Sequence, residues 1–432
     1  MKSFTDFSSQ TLIFVLRIIV GIFVGAYVAR YLGASQLGVL ALIIAVVAIL
    51  NPFIDFGTKQ ILEKKSAQEA EGIAEAFWPT LVIKFLWAIA IVLIFLGIGL
   101  SGGFPSLTEN GNLPVVLASL ALLVSPLAQF NVLVTVNLKN QQLLRGQLFI
   151  LVVLSLYKIW LIQSGKGLNW FVMAYFLDVL ANMLNVFGVC WRSKIVPRII
   201  RVKLRNGFAV VRESWMLMLS GVAVILYMKS DVVMIDYFMT SQDVGYYSVA
   251  SNLIGMAYFL PVALSNSLKK KVYKRLNEQP SDHASIMQSL FTVFNAVGIA
   301  IAIAVIVCGS FFVSLVYGDE YLKSGDLLMA LALGIPAVAL GVSRSLYLIH
   351  EGMTRFVLLS STGGLVTNVL LNCILIPLYG VIGAVVASVV SYYISAMLSS
   401  IFIRDVKIFH YQINATKINF KKIIAAYHEI KG

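Results

Sequence analysis

Apolar stretches long enough to cross a lipid bilayer recur along the whole chain, and no other feature constrains the fold as strongly. Residues 86–100 (LWAIAIVLIFLGIGL) and 296–308 (AVGIAIAIAVIVC) are representative. At 1.5 Å per residue, a helix of about 20 apolar residues matches a hydrocarbon core of roughly 30 Å. The chain is 59% hydrophobic and 12% charged, with a mean hydropathy of +0.88. A soluble protein of this length could not hide so much apolar surface behind so little charge. The sequence therefore predicts an all-α, polytopic membrane protein.

Polar, glycine and proline punctuation delimits twelve spans, near 10–31, 36–57, 78–100, 113–136, 146–163, 169–191, 214–239, 245–267, 287–317, 325–349, 356–378 and 381–403. The start, MKSFTDFSSQ, lacks the features of a cleaved secretory signal, so the first span is expected to be retained. With the N-terminus inside, 25 of the 33 Lys and Arg residues fall on cytoplasmic segments, the densest between Arg192 and Arg212 and from Lys269 to Arg275. The positive-inside rule then predicts cytoplasmic termini. It also accounts for most of the net charge of +13 without nucleic acid; clusters such as KKKVYKR (269–275) suit anionic lipid headgroups.

The chain also repeats itself. RYLGASQLG (30–38) resembles DYFMTSQDVG (236–245), each at the turn after the first span of a six-span half. Intramembrane prolines pair at similar offsets, Pro52 with Pro261 and Pro126 with Pro336. These pairings predict parallel repeats: an N-terminal bundle over 1–200, a C-terminal bundle over 201–404, and a basic amphipathic cytoplasmic tail over 405–432. The prolines permit bending, which a transporter uses and which many membrane helices carry without any gating role.

Four stretches carry a family resemblance: RYLGASQLGVLAL, NPFIDFGTKQ, SDVVMIDYFMTSQDVGYYSVA and LNCILIPLYGVIGAVVASVVSYY. They resemble the signature regions of Wzx-type polysaccharide flippases, in the multidrug/oligosaccharidyl-lipid/polysaccharide (MOP) superfamily that also holds MATE exporters and lipid II flippases. The resemblance implies two six-helix bundles around a central cavity that opens alternately to either side. It implies a transporter, not an enzyme, that moves undecaprenyl-pyrophosphate-linked repeat units of O antigen or a related glycan from the cytoplasmic to the periplasmic leaflet of a bacterial inner membrane. A glycan polymerase and chain-length proteins are the protein partners it implies, and a cationic cavity is common among its members.

Charged residues inside the spans are the candidates for that cavity, because each costs roughly 2.5–3.5 kcal/mol at the bilayer centre unless paired, hydrated or used. Lys229 lies about ten residues from the outer end of its span, roughly 15 Å deep, with no acid at i±3 or i±4. An interhelix ion pair or an anionic ligand would each satisfy it. Arg17, roughly 10 Å deep, and Arg344 have two readings, diphosphate contact or snorkelling to the headgroups. Arg30 suits the outer boundary. Lys84 and Lys158 are expected to snorkel, and Asp55 to pair with Lys59 at i+4. Asp178, Asp231 and Asp236 are ion-pair or coupling candidates, for a proton or sodium gradient. Asn368 and Asn372 are expected to hydrogen-bond a neighbouring helix.

The balance, five bases against three acids within the spans, favours an anionic pyrophosphate over a cation. A MATE-like ion-coupled exporter of small cations is the alternative; a glycan polymerase would be expected to carry a larger outer loop than 101–113. Cys190, Cys308 and Cys373 read as small core residues, and neither metal nor cofactor is expected. GIGLSG (97–102) fits G-x-G-x-x-G only at the end of a membrane helix, so it is no nucleotide fingerprint.

Overall fold

A computed structural model describes residues 2–68, 70–109, 111–198, 202–278, 283–402 and 408–417. The chain divides into two compact units, Met1–Lys229 and Ser230–Gly432. The division falls within a helix, beyond the basic segment 192–212 where the sequence placed the linker.

The first unit holds α1 (Lys2–Asp55), α2 (Thr58–Gln68), α3 (Ala70–Leu100), α4 (Pro105–Thr108), α5 (Leu113–Val124), α6 (Phe130–Val136), α7 (Asn140–Gln163), α8 (Leu168–Arg192) and the larger part of α9 (Leu204–Phe238). The second holds the end of α9, then α10 (Ser241–Ala257), α11 (Phe259–Glu278), α12 (His283–Tyr317), α13 (Leu322–Ala332), α14 (Ile335–His350), α15 (Thr354–Tyr379), α16 (Val381–Ala396) and α17 (Ile408–Thr416).

Ten of the described helical segments are long and apolar enough to cross a membrane, or eleven if the pair Asp319–Ala332 and Ile335–His350, bent by 45°, is one span. The difference from the twelve expected lies in α1. Its 54 residues would extend roughly 80 Å, far more than one hydrocarbon core. Gly33 breaks it with φ 72° and ψ 168°, a conformation that glycine adopts at little cost. The two sequence-predicted spans 10–31 and 36–57 are thus joined without an intervening loop. The matching junction of the second unit is built differently: Thr240 caps α10, accepting from Asp243 N at 3.3 Å and donating to Asp243 Oδ2 at 2.8 Å.

The prolines interrupt spans at equivalent places. Pro126 opens a 3-10 turn (Ser125–Gln129) between α5 and α6, and Pro336 opens α14 after the break that follows α13. A proline removes the donor for the carbonyl four residues earlier. Ser125 Oγ replaces it at Leu122 O, 2.8 Å away, so the interruption stays satisfied inside an apolar environment.

Each unit has its own core. Phe77, Leu62, Phe130, Leu133, Val186 and Val210 pack together in the first, with Phe130 edge-on to both Phe77 and Phe187. Leu290, Phe291, Phe294, Leu340, Leu348 and Ile408 do so in the second. Ile408 lies on α17, so this part of the expected cytoplasmic tail is a core element. Asn295 Nδ2 donates to Ala415 O at 3.0 Å, and Gln412 Nε2 to Ala396 O at 2.8 Å. The remainder of the tail, 418–432, lies outside the described residues. Outward, Phe149, Val307 and Phe311 are 71, 73 and 72% exposed; such rings and branches suit lipid, where apolar exposure costs nothing. Cys190 is buried, but Cys308 and Cys373 are exposed on the same kind of surface rather than in the core.

Helix contacts in both units depend on glycine. A Cβ on Gly383 would lie 2.1 Å from Leu375 O, at the turn where α15 and α16 pack side by side. Because the obstacle is backbone, Gly383→Ala is expected to force the hairpin apart and cost about 2–3 kcal/mol. Thermal denaturation of the detergent-solubilised protein measures this, and an unchanged midpoint would contradict the close approach.

Candidate functional site

Two polar constellations stand inside the apolar helices, one in each unit. The first surrounds a cavity of about 630 Å3 whose wall includes Asn51, Asp55, Ser125, Asp178 and Asn182 over an apolar floor with Val179, Met183 and Met218. Pro52 in α1 withdraws the amide that would bond to Ala48 O, and Ala48 also lines this cavity. Gly57, at φ +64°, lets α9 approach: a Cβ there would meet Met218 N at 2.8 Å.

Asp55 ends α1, where the helix dipole disfavours a carboxylate. Lys84 on α3 offsets this, with Nζ 2.7 Å from Asp55 Oδ1. The lysine side chain is 1% exposed while its partner is 46% exposed. This corrects two sequence expectations. Lys84 does not snorkel, and Asp55 pairs across helices, leaving Lys59 to pair with Glu63 at 3.8 Å. Helical spacing had offered Asp55 a partner at i+4, but the crossing of α1 and α3 places a better one against it. On α8, Asn182 Nδ2 donates to Asp178 Oδ1 at 2.8 Å.

The second constellation centres on Asp231, 3% exposed. Its Oδ2 accepts from Tyr247 Oη at 2.5 Å and Ser388 Oγ at 2.6 Å. Its Oδ1 accepts from Asn372 Nδ2 at 2.6 Å. Asn372 also donates to Asn368 Oδ1 at 3.1 Å, which receives Ser230 Oγ at 3.0 Å. The carboxylate charge is thus held by three donors from α10, α15 and α16, with no ion pair to it among the described residues. The asparagines hydrogen-bond a neighbouring helix, as expected, and their target is the Asp231 cluster. Carboxylate, hydroxyl and amide oxygens in one place are hard ligands, able to take up a proton or a hard cation. Among the described residues no group of three or more His, Cys, Asp or Glu side chains is placed to hold a metal ion.

The cations are distributed differently. Lys229 is half-buried and has no hydrogen-bond or ion-pair partner among the described residues. Arg344 is 3% exposed and so does not snorkel. It donates through Nη1 to Ser399 Oγ, and among the described residues its Nε has no partner and no acid stands beside it. Arg30 is exposed; Asp236 is half-buried and engaged. The side chain of Arg17 lies outside the described residues. Sequence reasoning missed Asn182, Tyr247 and Ser388 as site residues, since ordinary polar side chains on apolar helices carry no signal until their helices pack.

A family model described as "Polysaccharide biosynthesis protein" matches residues 27–326, well over half of the chain. The chain belongs to the polysaccharide biosynthesis protein family. Among relatives, it is 27% identical over 385 residues to the probable low-salt glycan biosynthesis flippase Agl15 of Haloferax volcanii, covering 86% of this chain and 77% of that one. The fold of this family member is that of MOP-superfamily transporters. A lipid II flippase MurJ structure in an inward closed conformation superposes with a TM-score of 0.75 at 15% identity, covering 98% of this chain and 97% of the other. An inward-facing MATE transporter gives 0.68 at 14% identity, covering 92 and 95%. The Wzx-type, MOP-superfamily resemblance read from the sequence therefore holds, as does the all-helical, MATE-like fold. The chain is a multi-pass membrane protein by its helices, and the proteins it resembles are named as flippases and transporters.

Proposed function

We propose that this protein is a flippase for lipid-linked oligosaccharides, carrying undecaprenyl-pyrophosphate-linked repeat units of O antigen or a related surface glycan by alternating access. Transport runs from the cytoplasmic to the periplasmic leaflet of a bacterial inner membrane, with both termini cytoplasmic and membrane lipids as surroundings. One observation carries the reading. Among the described residues, the intramembrane acids Asp55, Asp178 and Asp231 are satisfied by protein partners, whereas Lys229 has none and Arg344 has no acid. Cations that no acid neutralises recruit an anion such as a diphosphate, which weighs against the MATE-like exporter of small cations.

Lys229 is the foremost headgroup contact, with Arg17, Arg344 and Arg30 as further contacts along the path. Asp231 and its oxygen-rich surroundings suit coupling to a proton or sodium gradient, with Asp178 and Asp236 as secondary candidates. The glycan product would pass to a polymerase and chain-length proteins.

Reconstituted into proteoliposomes, Lys229→Ala is expected to slow translocation of the lipid-linked glycan at least ten-fold, and Lys229→Arg to retain most of it. If Lys229→Ala and Arg17→Ala variants insert normally and translocate at the wild-type rate, the cationic mechanism is wrong. Efflux of small cations without glycan translocation would instead establish the exporter.

A further inference from the structure

Lys229 stands one helical turn beyond Ile225, the last α9 residue lining the cavity of the first unit, so the cavity wall itself holds no cation and needs a reading of its own. Its carboxylates already have partners: Asp55 is held by Lys84, and Asp178 accepts from Asn182. A small cation gains less from carboxylates that already have partners, and an anion is repelled by them. What the wall does offer is hydrogen-bond acceptors. Asp178 Oδ1 is occupied by Asn182 Nδ2, which leaves Asp178 Oδ2 and Asn182 Oδ1 open. Asp55 uses Oδ1 for Lys84 and is 46% exposed, which leaves its Oδ2 open as well. The Ala48 carbonyl adds a fourth acceptor, freed by Pro52. Asn51 supplies both a donor and an acceptor. Between these groups the lining is apolar, and about 630 Å3 lies within the roughly 300–1,000 Å3 range of small-molecule sites.

We propose that this cavity is a subsite for the sugar part of the transported molecule, binding neutral hydroxyls through Asp55, Asp178 and Asn182 while Val179, Met183 and Met218 face the C–H surfaces of the rings. Sugars suit it because they are donor-rich, uncharged and amphipathic. A carboxylate pinned by a base accepts a hydroxyl proton strongly without demanding a counterion. The inference rests on the flippase reading, and it assigns glycan and diphosphate to different side chains.

The test uses the full chain in nanodiscs, with two probes: the oligosaccharide released by mild acid from the lipid-linked pool of the source cells, and geranyl diphosphate. Saturation-transfer NMR reads the first and displacement titration the second. Asp178→Asn and Asn182→Ala are each expected to weaken oligosaccharide binding at least ten-fold while leaving geranyl diphosphate binding within two-fold. Asp178→Asn keeps the side-chain shape, and melting curves of both variants confirm folding. Oligosaccharide binding that is unchanged in both variants, with geranyl diphosphate still bound, overturns the subsite alone. So does a sodium-dependent signal that Asp178→Asn abolishes while oligosaccharide binding persists. Failure of the wild type to bind either probe overturns the flippase reading together with the subsite.

Discussion

Asp55→Ala is expected to destabilise the protein by about 3–5 kcal/mol, whereas Lys84→Met should cost far less. The two halves of the pair are unequal. Lys84 is 1% exposed and Asp55 46% exposed, so removing the acid strands an ammonium in the apolar interior, and removing the base leaves a carboxylate that faces the cavity and can hydrate. Stranding one member of a buried pair is what makes such pairs expensive to break. The double variant Asp55→Ala/Lys84→Met removes both charges and is expected to recover most of the loss. Equilibrium denaturation of the three variants in the same detergent forms a double-mutant cycle. Equal losses for the two single variants would show that Lys84 is hydrated and the pair incidental. Because Asp55 also lines the cavity, the double variant is further expected to bind the released oligosaccharide more weakly even when it is stable.

The second large effect is expected at Asp231. Asp231→Asn replaces an acceptor of three hydrogen bonds by a group whose amide nitrogen must face at least one of Tyr247, Asn372 and Ser388. Hydrogen bonds to a charged group contribute about 1.5–3 kcal/mol each; losing the charge and one acceptor is expected to cost about 3 kcal/mol. Ser388→Ala removes one donor of the three and is expected to cost about half as much. The transport consequence separates scaffold from coupling. Under imposed sodium or pH gradients in proteoliposomes, Asp231→Asn is expected to translocate at least ten-fold more slowly and to lose its response to the gradient. Ser388→Ala should keep the response with a shifted ion dependence. A folded Asp231→Asn protein that transports normally and still follows the gradient would confine Asp231 to a structural role.

Lys229 shows what periodicity can and cannot say about a buried charge. Its depth and the absence of an acid at i±3 or i±4 are properties of one helix, readable by counting. They pointed to an unusual residue, and the structure gives it no partner among the described residues. The same counting gave Asp55 the wrong partner, because an i+4 lysine was available in sequence while Lys84 was not visibly near. Arg344 illustrates the intermediate case. Its position near a span end suggests snorkelling, but the structure buries it beside the turn that carries Ser399. The prolines were legible as interruptions, though not which hydroxyl would serve the freed carbonyl: Ser125 is local, but nothing in the sequence announces it.

What the sequence by itself determined was the solvent and the class of fold. Long apolar segments oblige the backbone to satisfy its own hydrogen bonds, which in lipid leaves helices; the same segments mark where charge is expensive. Its motifs also carried the family. Tertiary structure alone decided who meets whom. Lys84 and Asp55 are 29 positions apart, Asn372 and Asp231 are 141 apart, and Ser388 and Asp231 are 157 apart. In hydrocarbon a polar side chain has no water to fall back on, so its partner is set by which helices cross at its depth. That choice is made by side-chain packing, by glycines such as Gly57 and by proline breaks acting together, and no single-helix pattern encodes it.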